Sequence, residues 1–69
     1  MKLSARNTLE GKVKEIKVGE VNAEVILELE GGQELVAVIT KSSCENLGLV
    51  KGKAVNAIVK ASSIIVAVD

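Results

Sequence analysis

The segment from residue 21 to residue 30 alternates between apolar and polar side chains with a period of two. Apolar residues occupy every odd position from 21 to 29, and asparagine or glutamate occupies every even position except Ile26. This period is that of a β-strand with one buried face and one solvated face. Gly31-Gly32 follows directly and is a strong signal for a hairpin turn. The chain is therefore predicted to be built from strands and tight turns.

Four further strands are predicted, at residues 9–18, 35–39, 55–60 and 64–68. In the first of them the apolar alternation shifts by one residue between Val13 and Ile16, which indicates a β-bulge. Ser42-Ser43-Cys44-Glu45 fits a capping box for one or two helical turns, with Ser42 as the N-cap, and Gly48 is a natural stop. The residues thus predict an all-β fold of five strands and one short helix, either a barrel or a sandwich.

Composition excludes several classes of function. The 69 residues allow one domain, 1–69, and carry nine basic and nine acidic residues, no aromatic residue and no histidine. A polyanion binder needs a basic surface, and single-stranded nucleic acid is usually held on aromatic platforms. Without histidine the chain lacks the commonest general base and metal ligand. The nine carboxylates show no pairing typical of acid–base catalysis, because Glu24, Glu28 and Glu30 share one solvated strand face. We therefore expect no enzymatic activity and no metal held by direct coordination.

Cys44 is the only cysteine, so no disulfide can form within the chain. We interpret it as a small buried or half-buried thiol in a reducing cytoplasm. The first seven residues are polar and no signal-peptide pattern follows them, and no apolar run approaches the roughly 20 residues that span a bilayer. The expected location is the cytoplasm, without membrane contact.

Several predicted strands carry apolar residues on both faces. Val36 and Val38, Ala54 and Ile58, and Ile65 and Ala67 lie on the second face of their strands. One small sheet cannot cover both of its faces, and exposed apolar patches usually mark an interface. We therefore expect a homo-oligomer. The alternative is a closed barrel with scattered surface valines.

Three stretches combine hydrogen-bond donors with no acidic residue: Ser4–Asn7, Thr40–Ser43 and Lys60–Ser63. Arginine offers a planar fork of donors, lysine a point charge, and serine, threonine and asparagine neutral donors. Such a set suits a small oxyanion. The alternatives are a polar N-terminal tail, a helix cap at Ser42 and a solvated strand-end charge at Lys60.

The order and spacing of several short motifs resemble those of the molbindin, or molybdopterin-binding, family over essentially the whole chain. The segments that carry the resemblance are Ser4-Ala5-Arg6-Asn7, Leu9-x-Gly11-x-Val13, residues 19–25, Gly31-Gly32, Ile39-Thr40, Leu47-Gly48-Leu49 and Lys60-Ala61-Ser62. The resemblance implies an OB-like five-stranded barrel that assembles as a hexamer, a trimer of dimers. It implies molybdate or tungstate held between subunits and a role in intracellular storage or homeostasis. No organic cofactor is predicted, although the family's older name refers to a pterin.

The resemblance also implies which residues bind the oxyanion. The family motif maps onto Ser4, Ala5, Arg6 and Asn7 at one end of the chain and onto Lys60, Ala61 and Ser62 at the other. Thr40 and Ser43 are expected contributors, and Val21 and Asn22 are expected at a second type of site.

Two functions of other classes remain as alternatives. An OB-like nucleic-acid-binding module rests on architecture alone. A carrier or scaffold domain would fit the size, but no lysine on a hairpin tip has the flanking residues of such carriers.

Overall fold

Four antiparallel strands form the only sheet of the computed structural model, which describes residues 1–69. The elements are β1 (Asn7–Val18), β2 (Asn22–Leu29), β3 (Glu34–Thr40), helix α1 (Lys41–Asn46), β4 (Ala54–Val59) and a 3-10 turn (Ala61–Ser63). The strand order is β3-β2-β1-β4, and side chains from both edge strands line one common groove. The sheet is therefore curled into a half-barrel. The prediction of an all-β fold with one short helix is confirmed.

The prediction of a fifth strand at residues 64–68 is wrong for this chain. Ile64 has extended backbone angles, but residues 64–69 join no ladder, and β3 and β4 remain the free edges of the sheet. Side-chain exposure reaches 91% at Ile65 and 92% at Val68. An extended segment becomes a strand only by pairing with a neighbour, and this segment finds none within its own chain. The half-barrel is therefore open between its edge strands.

The predicted bulge in β1 is present. Val13 pairs with Leu27 and Glu15 with Ile26, so Lys14 is the extra residue. This insertion allows Val13 to be buried and Ile16 to be half-buried on the same side of the sheet.

The bulged residue reaches two carboxylates on the outer face. Lys14 Nζ lies 3.8 Å from a carboxylate oxygen of Glu28 and donates a hydrogen bond to Glu34. The hydrogen bond to Glu34 and the charge of that carboxylate raise the pKa of Lys14 above its ordinary value of 10.5. Lys14 thus links β1 to β2 and β3.

The Gly31-Gly32 turn joins β2 to β3 as predicted. Both glycines have positive φ, 94° and 89°, which other residues adopt only with strain. The Leu29 amide donates to the Gln33 carbonyl oxygen at 2.7 Å and closes the turn. The closed turn sets the register in which Ala23 pairs with Ile39 and Leu27 pairs with Leu35.

Helix α1 begins two residues earlier than the sequence indicated. Thr40, not Ser42, is the N-cap, and its hydroxyl accepts from the Ser43 amide at 3.0 Å. The reason is that β3 runs directly into the helix, so the last extended residue takes the cap. Gly48, with φ of 62°, ends the helical segment as predicted. Lys53 Nζ donates to the carbonyl oxygens of Leu47 and Gly48 at 2.8 and 3.2 Å, at the end where a cation is favourable.

The core is small for the length of the chain. Only five of 69 residues are buried: Val13, Ala23, Val25, Leu27 and Cys44. Val13, Val25 and Leu27 form one cluster, and half-buried apolar residues from β1, β3, β4 and the loop before β4 pack around it. The second-face residues Val36 and Val38 are 62% and 67% exposed, in agreement with the two-faced strands expected from the sequence.

Candidate oxyanion-binding site

The pairing of β1 with β4 brings the two predicted binding segments together. Asn7, the first residue of β1, lies opposite Val59, the last residue of β4. Asn7 Nδ2 also donates to the Val59 carbonyl oxygen at 3.2 Å. Because the two strands are antiparallel, the residues before Asn7 and those after Val59 leave the sheet side by side.

These two segments line a hollow of about 530 Å³. Its lining residues are Ser4, Ala5, Arg6, Ile58, Lys60, Ala61 and Ser62. Six of them are residues that the sequence predicted for the oxyanion site. Asn7, the seventh residue of that motif, does not line the hollow, because its side chain fastens β1 to β4.

The hollow offers positive charge and hydrogen-bond donors and no acid. Arg6 and Lys60 are exposed and form no ion pair, whereas the ion pairs of this chain all involve Lys14. The Ser63 amide makes the first internal bond of the 3-10 turn, to the Lys60 carbonyl oxygen at 2.9 Å. The amides of Ala61 and Ser62 precede that bond, as amides at the start of any helical turn do. The arrangement therefore suits a ligand that only accepts hydrogen bonds.

The remaining predicted residues lie at the opposite end of β1. Asn22 is paired with Thr40, next to the pairing of Val18 with Ala23. A second hollow, of about 500 Å³, is lined there by Glu20, Val21, Thr40, Lys41, Ser42 and Glu45. Within one chain, Thr40 and Ser43 are thus not part of the Arg6 hollow.

Hydroxyl groups at this second hollow are partly engaged. Thr40 Oγ1 accepts from the Ser43 amide and donates to Ser43 Oγ at 2.8 Å. Since Ser43 Oγ accepts in that bond, its own hydrogen remains free to donate. Asn22 and Ser43 adjoin the hollow without lining it.

Sequence reasoning missed three residues of these hollows. Ile58 lines the first hollow, although its pattern indicated only an exposed apolar face. Glu20 and Glu45 line the second, where only donors had been expected. No periodicity identifies such residues, because their placement follows from strand pairing and from the position of α1.

Other kinds of site find little support in the geometry. No group of three or more histidine, cysteine, aspartate or glutamate side chains comes together as metal ligands. Cys44 is buried as a free thiol on α1. None of the helices has the length and apolar character needed to cross a membrane.

Several known proteins are similar to this chain in sequence and in fold. The family description "TOBE domain" matches residues 3–66. A probable molybdenum-pterin-binding protein of Haemophilus influenzae is 44% identical over 69 residues, which is all of both chains. The structure of a molybdate-binding protein from Sporomusa ovata superimposes with a TM-score of 0.92, at 48% identity over 97% of this chain and 98% of the other.

A further solved structure contains the ligand. The cytoplasmic molybdate-binding protein ModG, in a form with molybdate bound, has a TM-score of 0.91 and 49% identity over 94% of this chain. This chain covers 46% of ModG. The match therefore concerns one part of that longer protein.

Together the fold and these similarities define a small OB-like domain of the molybdate-binding class. The chain belongs to the TOBE domain family and, within it, to the molbindin-like molybdenum-pterin-binding proteins. These relatives are binding proteins, and none of the comparisons favours nucleic-acid binding.

Proposed function

We propose that this chain binds molybdate and tungstate, without catalysis, in the hollow between residues 4–6 and 60–62. The observation that carries the proposal is the convergence of Arg6 and Lys60, both without ion pairs, in a hollow that contains no carboxylate. The names of the relatives support molybdate as the ligand.

The donor-only lining supports selectivity against phosphate. Molybdate and tungstate are dianions at neutral pH and only accept hydrogen bonds. Phosphate has a second pKa of ~6 in its esters and somewhat higher as the free ion, so it often keeps a proton at pH 7. A carboxylate in the site would accept that proton, and this hollow has none. Molybdate and tungstate are nearly equal in size, so we expect little discrimination between them.

Assembly into a homo-oligomer, a hexamer arranged as a trimer of dimers, is part of the proposal. With five buried residues and many exposed large apolar side chains, one chain leaves much of its apolar surface uncovered. The hollow is much wider than one tetrahedral oxyanion. Residues of a neighbouring subunit are proposed to complete it, so that ion binding and assembly stabilise each other.

A second type of site is proposed at the other end of β1. Val21, Asn22, Thr40 and Ser43 would bind there, together with a neighbouring subunit. The free hydroxyl hydrogen of Ser43 and the cation Lys41 support this assignment. Glu20 and Glu45 line the same hollow, so it is less favourable for an anion than the Arg6 hollow. The proposed biological role is molybdenum storage and homeostasis in the cytoplasm, as for the relative described as cytoplasmic.

Calorimetric titration with molybdate, tungstate, sulfate and phosphate tests the proposal. We expect molybdate and tungstate to bind at micromolar concentration or below, and phosphate not to bind. In Arg6→Ala or Lys60→Ala one charged hydrogen bond is lost, worth ~1.5–3 kcal/mol, so affinity should fall roughly ten- to a hundredfold. Lys12→Ala is the matched control. Lys12 is exposed on the sheet and pairs with Ala54, at the end of the β1–β4 ladder opposite to the hollow.

The result that would contradict this function is the absence of molybdate uptake by the unmodified chain. Unchanged affinity in both Arg6→Ala and Lys60→Ala would instead show that the ion binds elsewhere. Circular dichroism of each variant confirms that the sheet is retained.

A further inference from the structure

The side chain of Asn7 joins the two segments that line the Arg6 hollow. Its Nδ2 donates to the Val59 carbonyl oxygen at 3.2 Å, between positions 52 residues apart. Only Nδ2 can face this oxygen, because Oδ1 of the same amide is itself an acceptor. No other side-chain hydrogen bond of the chain connects β1 to β4.

This hydrogen bond lies directly beside both cations of the hollow. Arg6 precedes Asn7 in the chain, and Lys60 follows Val59. Both cations line a hollow that contains no acid, so in the absence of an anion their like charges repel and favour separation of the two segments. Asn7 is half-buried, and a hydrogen bond shielded from water is stronger than an exposed one. The bond from Asn7 therefore opposes this separation.

The same bond orients the backbone on one side of Lys60. The Val59 carbonyl and the Lys60 N–H belong to one peptide unit, which is planar and trans. A hydrogen bond that holds the carbonyl therefore also sets the direction of the N–H. On the other side, the Lys60 carbonyl oxygen accepts from the Ser63 amide at 2.9 Å. That bond orients the peptide unit that carries the Ala61 N–H.

The turn that follows has little support of its own. Lys60 is the N-cap of the 3-10 turn Ala61–Ser63, and no side chain caps this turn. Hydrogen bonds in 3-10 turns have poor geometry, so a turn of three residues is weak by itself. Each peptide unit beside Lys60 is thus held by a hydrogen bond, one from Asn7 and one from Ser63.

We propose that Asn7 is a positioning residue of the oxyanion site. Its side chain holds the Lys60 backbone in the ion-binding arrangement before the ion arrives, and it does not contact the ion. This inference rests on the proposed function, whose site lies between residues 4–6 and 60–62. A site that is ordered in advance loses less conformational entropy on binding. Removal of the Asn7 amide therefore weakens binding although every residue that lines the hollow is retained.

Calorimetric titration of full-length Asn7→Leu with molybdate tests this role. Leucine is similar in size to asparagine but has no amide, so the affinity should fall roughly three- to tenfold, as for the loss of one neutral hydrogen bond. Affinities are compared at protein concentrations where native mass spectrometry shows the same assembly for each variant.

Gly11→Ala is the matched control for stability. Gly11 lies opposite Val55 in the same β1–β4 ladder, and a Cβ atom there would be 2.7 Å from the Glu28 carbonyl oxygen. This variant should lower the free energy of unfolding and leave the affinity for molybdate unchanged. Unchanged affinity in Asn7→Leu, or equal losses of affinity in both variants, would overturn the proposal.

Amide hydrogen exchange of the ion-free protein, followed by NMR, separates positioning from direct contact with the ion. In Asn7→Leu the Ser63 amide should exchange about threefold faster or more, because its acceptor is the carbonyl of Lys60. The Leu47 amide, which donates to the Ser43 carbonyl oxygen at the end of α1, is the reference and should not change. Unchanged exchange of Ser63 together with a lower affinity would show that Asn7 contacts the ion, against the proposal.

These measurements also separate the inference from the proposed function. If the unmodified chain takes up no molybdate, the proposed function fails, and the exchange rate of Ser63 alone decides whether Asn7 holds the Lys60 backbone. If the unmodified chain binds molybdate and Asn7→Leu binds it equally well, the positioning role alone fails.

Discussion

Gly11 is the glycine at which an added methyl group would make the closest steric contact, and Gly11→Ala is predicted to destabilise the sheet. The residue lies in β1 with Leu29 of β2 on one side and Val55 of β4 on the other. A Cβ atom there would be 2.7 Å from the Glu28 carbonyl oxygen and 3.2 Å from Leu29 Cδ2. The nearest atom belongs to the backbone of a central strand pair, so no side-chain rotation relieves the contact.

The magnitude follows from two opposing effects. Overpacking of this kind costs about 1–3 kcal/mol, while alanine gains about 0.4–1 kcal/mol over glycine by restricting the unfolded chain. The net loss is expected at about 1–2 kcal/mol, which lowers the melting temperature by roughly 5–15 °C for a domain of this size.

Thermal and urea unfolding followed by circular dichroism measure this loss at fixed protein concentration, because assembly contributes to stability. Gly32→Ala is the control: nothing lies within 4 Å of its Cβ position, but its φ is 89°. Its cost, of about 1 kcal/mol, comes only from backbone strain. A Gly11→Ala protein as stable as the unmodified chain would refute the close approach of β1 and β2.

Two further predictions concern the helix start and the outer face. Thr40→Val removes the N-cap hydroxyl and should lower the free energy of unfolding by about 1 kcal/mol. If the proposed second site exists, the same variant should bind fewer ions per chain in calorimetry. Thr8→Val, at an exposed position of β1, is the control and should change neither quantity. Lys14→Gln removes the contacts with Glu34 and Glu28. Because those contacts raise the pKa of Lys14 above 10.5, their stabilisation is present below that pH and is lost as pH rises through the raised value. Urea unfolding should therefore show that Lys14→Gln has a lower free energy of unfolding than the unmodified chain at pH 7. This difference should stay constant to about pH 9 and shrink above pH 10.5. A difference in free energy that grows with pH would contradict this prediction.

The pairing partner of a strand and the first residue of the helix could not be predicted from the residues near them in sequence. Ser42 and Glu45 have the spacing of a capping box, yet Thr40 is the cap because β3 continues up to it. Residues 64–68 have the composition of a strand, yet a strand exists only with a partner, and this chain provides none. Both errors arise because the deciding contact lies outside the segment concerned.

The sequence by itself determined the features that depend on near neighbours. The period of two from residue 21, the bulge between Val13 and Ile16 and the hairpin turn at Gly31-Gly32 are local, because side-chain alternation and backbone sterics act over a few residues. The donor-rich, acid-free character of Ser4–Asn7 and Lys60–Ser63 was likewise visible in the residues. Only the tertiary structure decided that these two stretches meet, since the pairing of Asn7 with Val59 joins positions 52 residues apart. It also decided that Thr40 and Ser43 lie at the opposite end of β1 and that Ile58 lines the hollow, because long-range pairing is set by which strands can bury a common core.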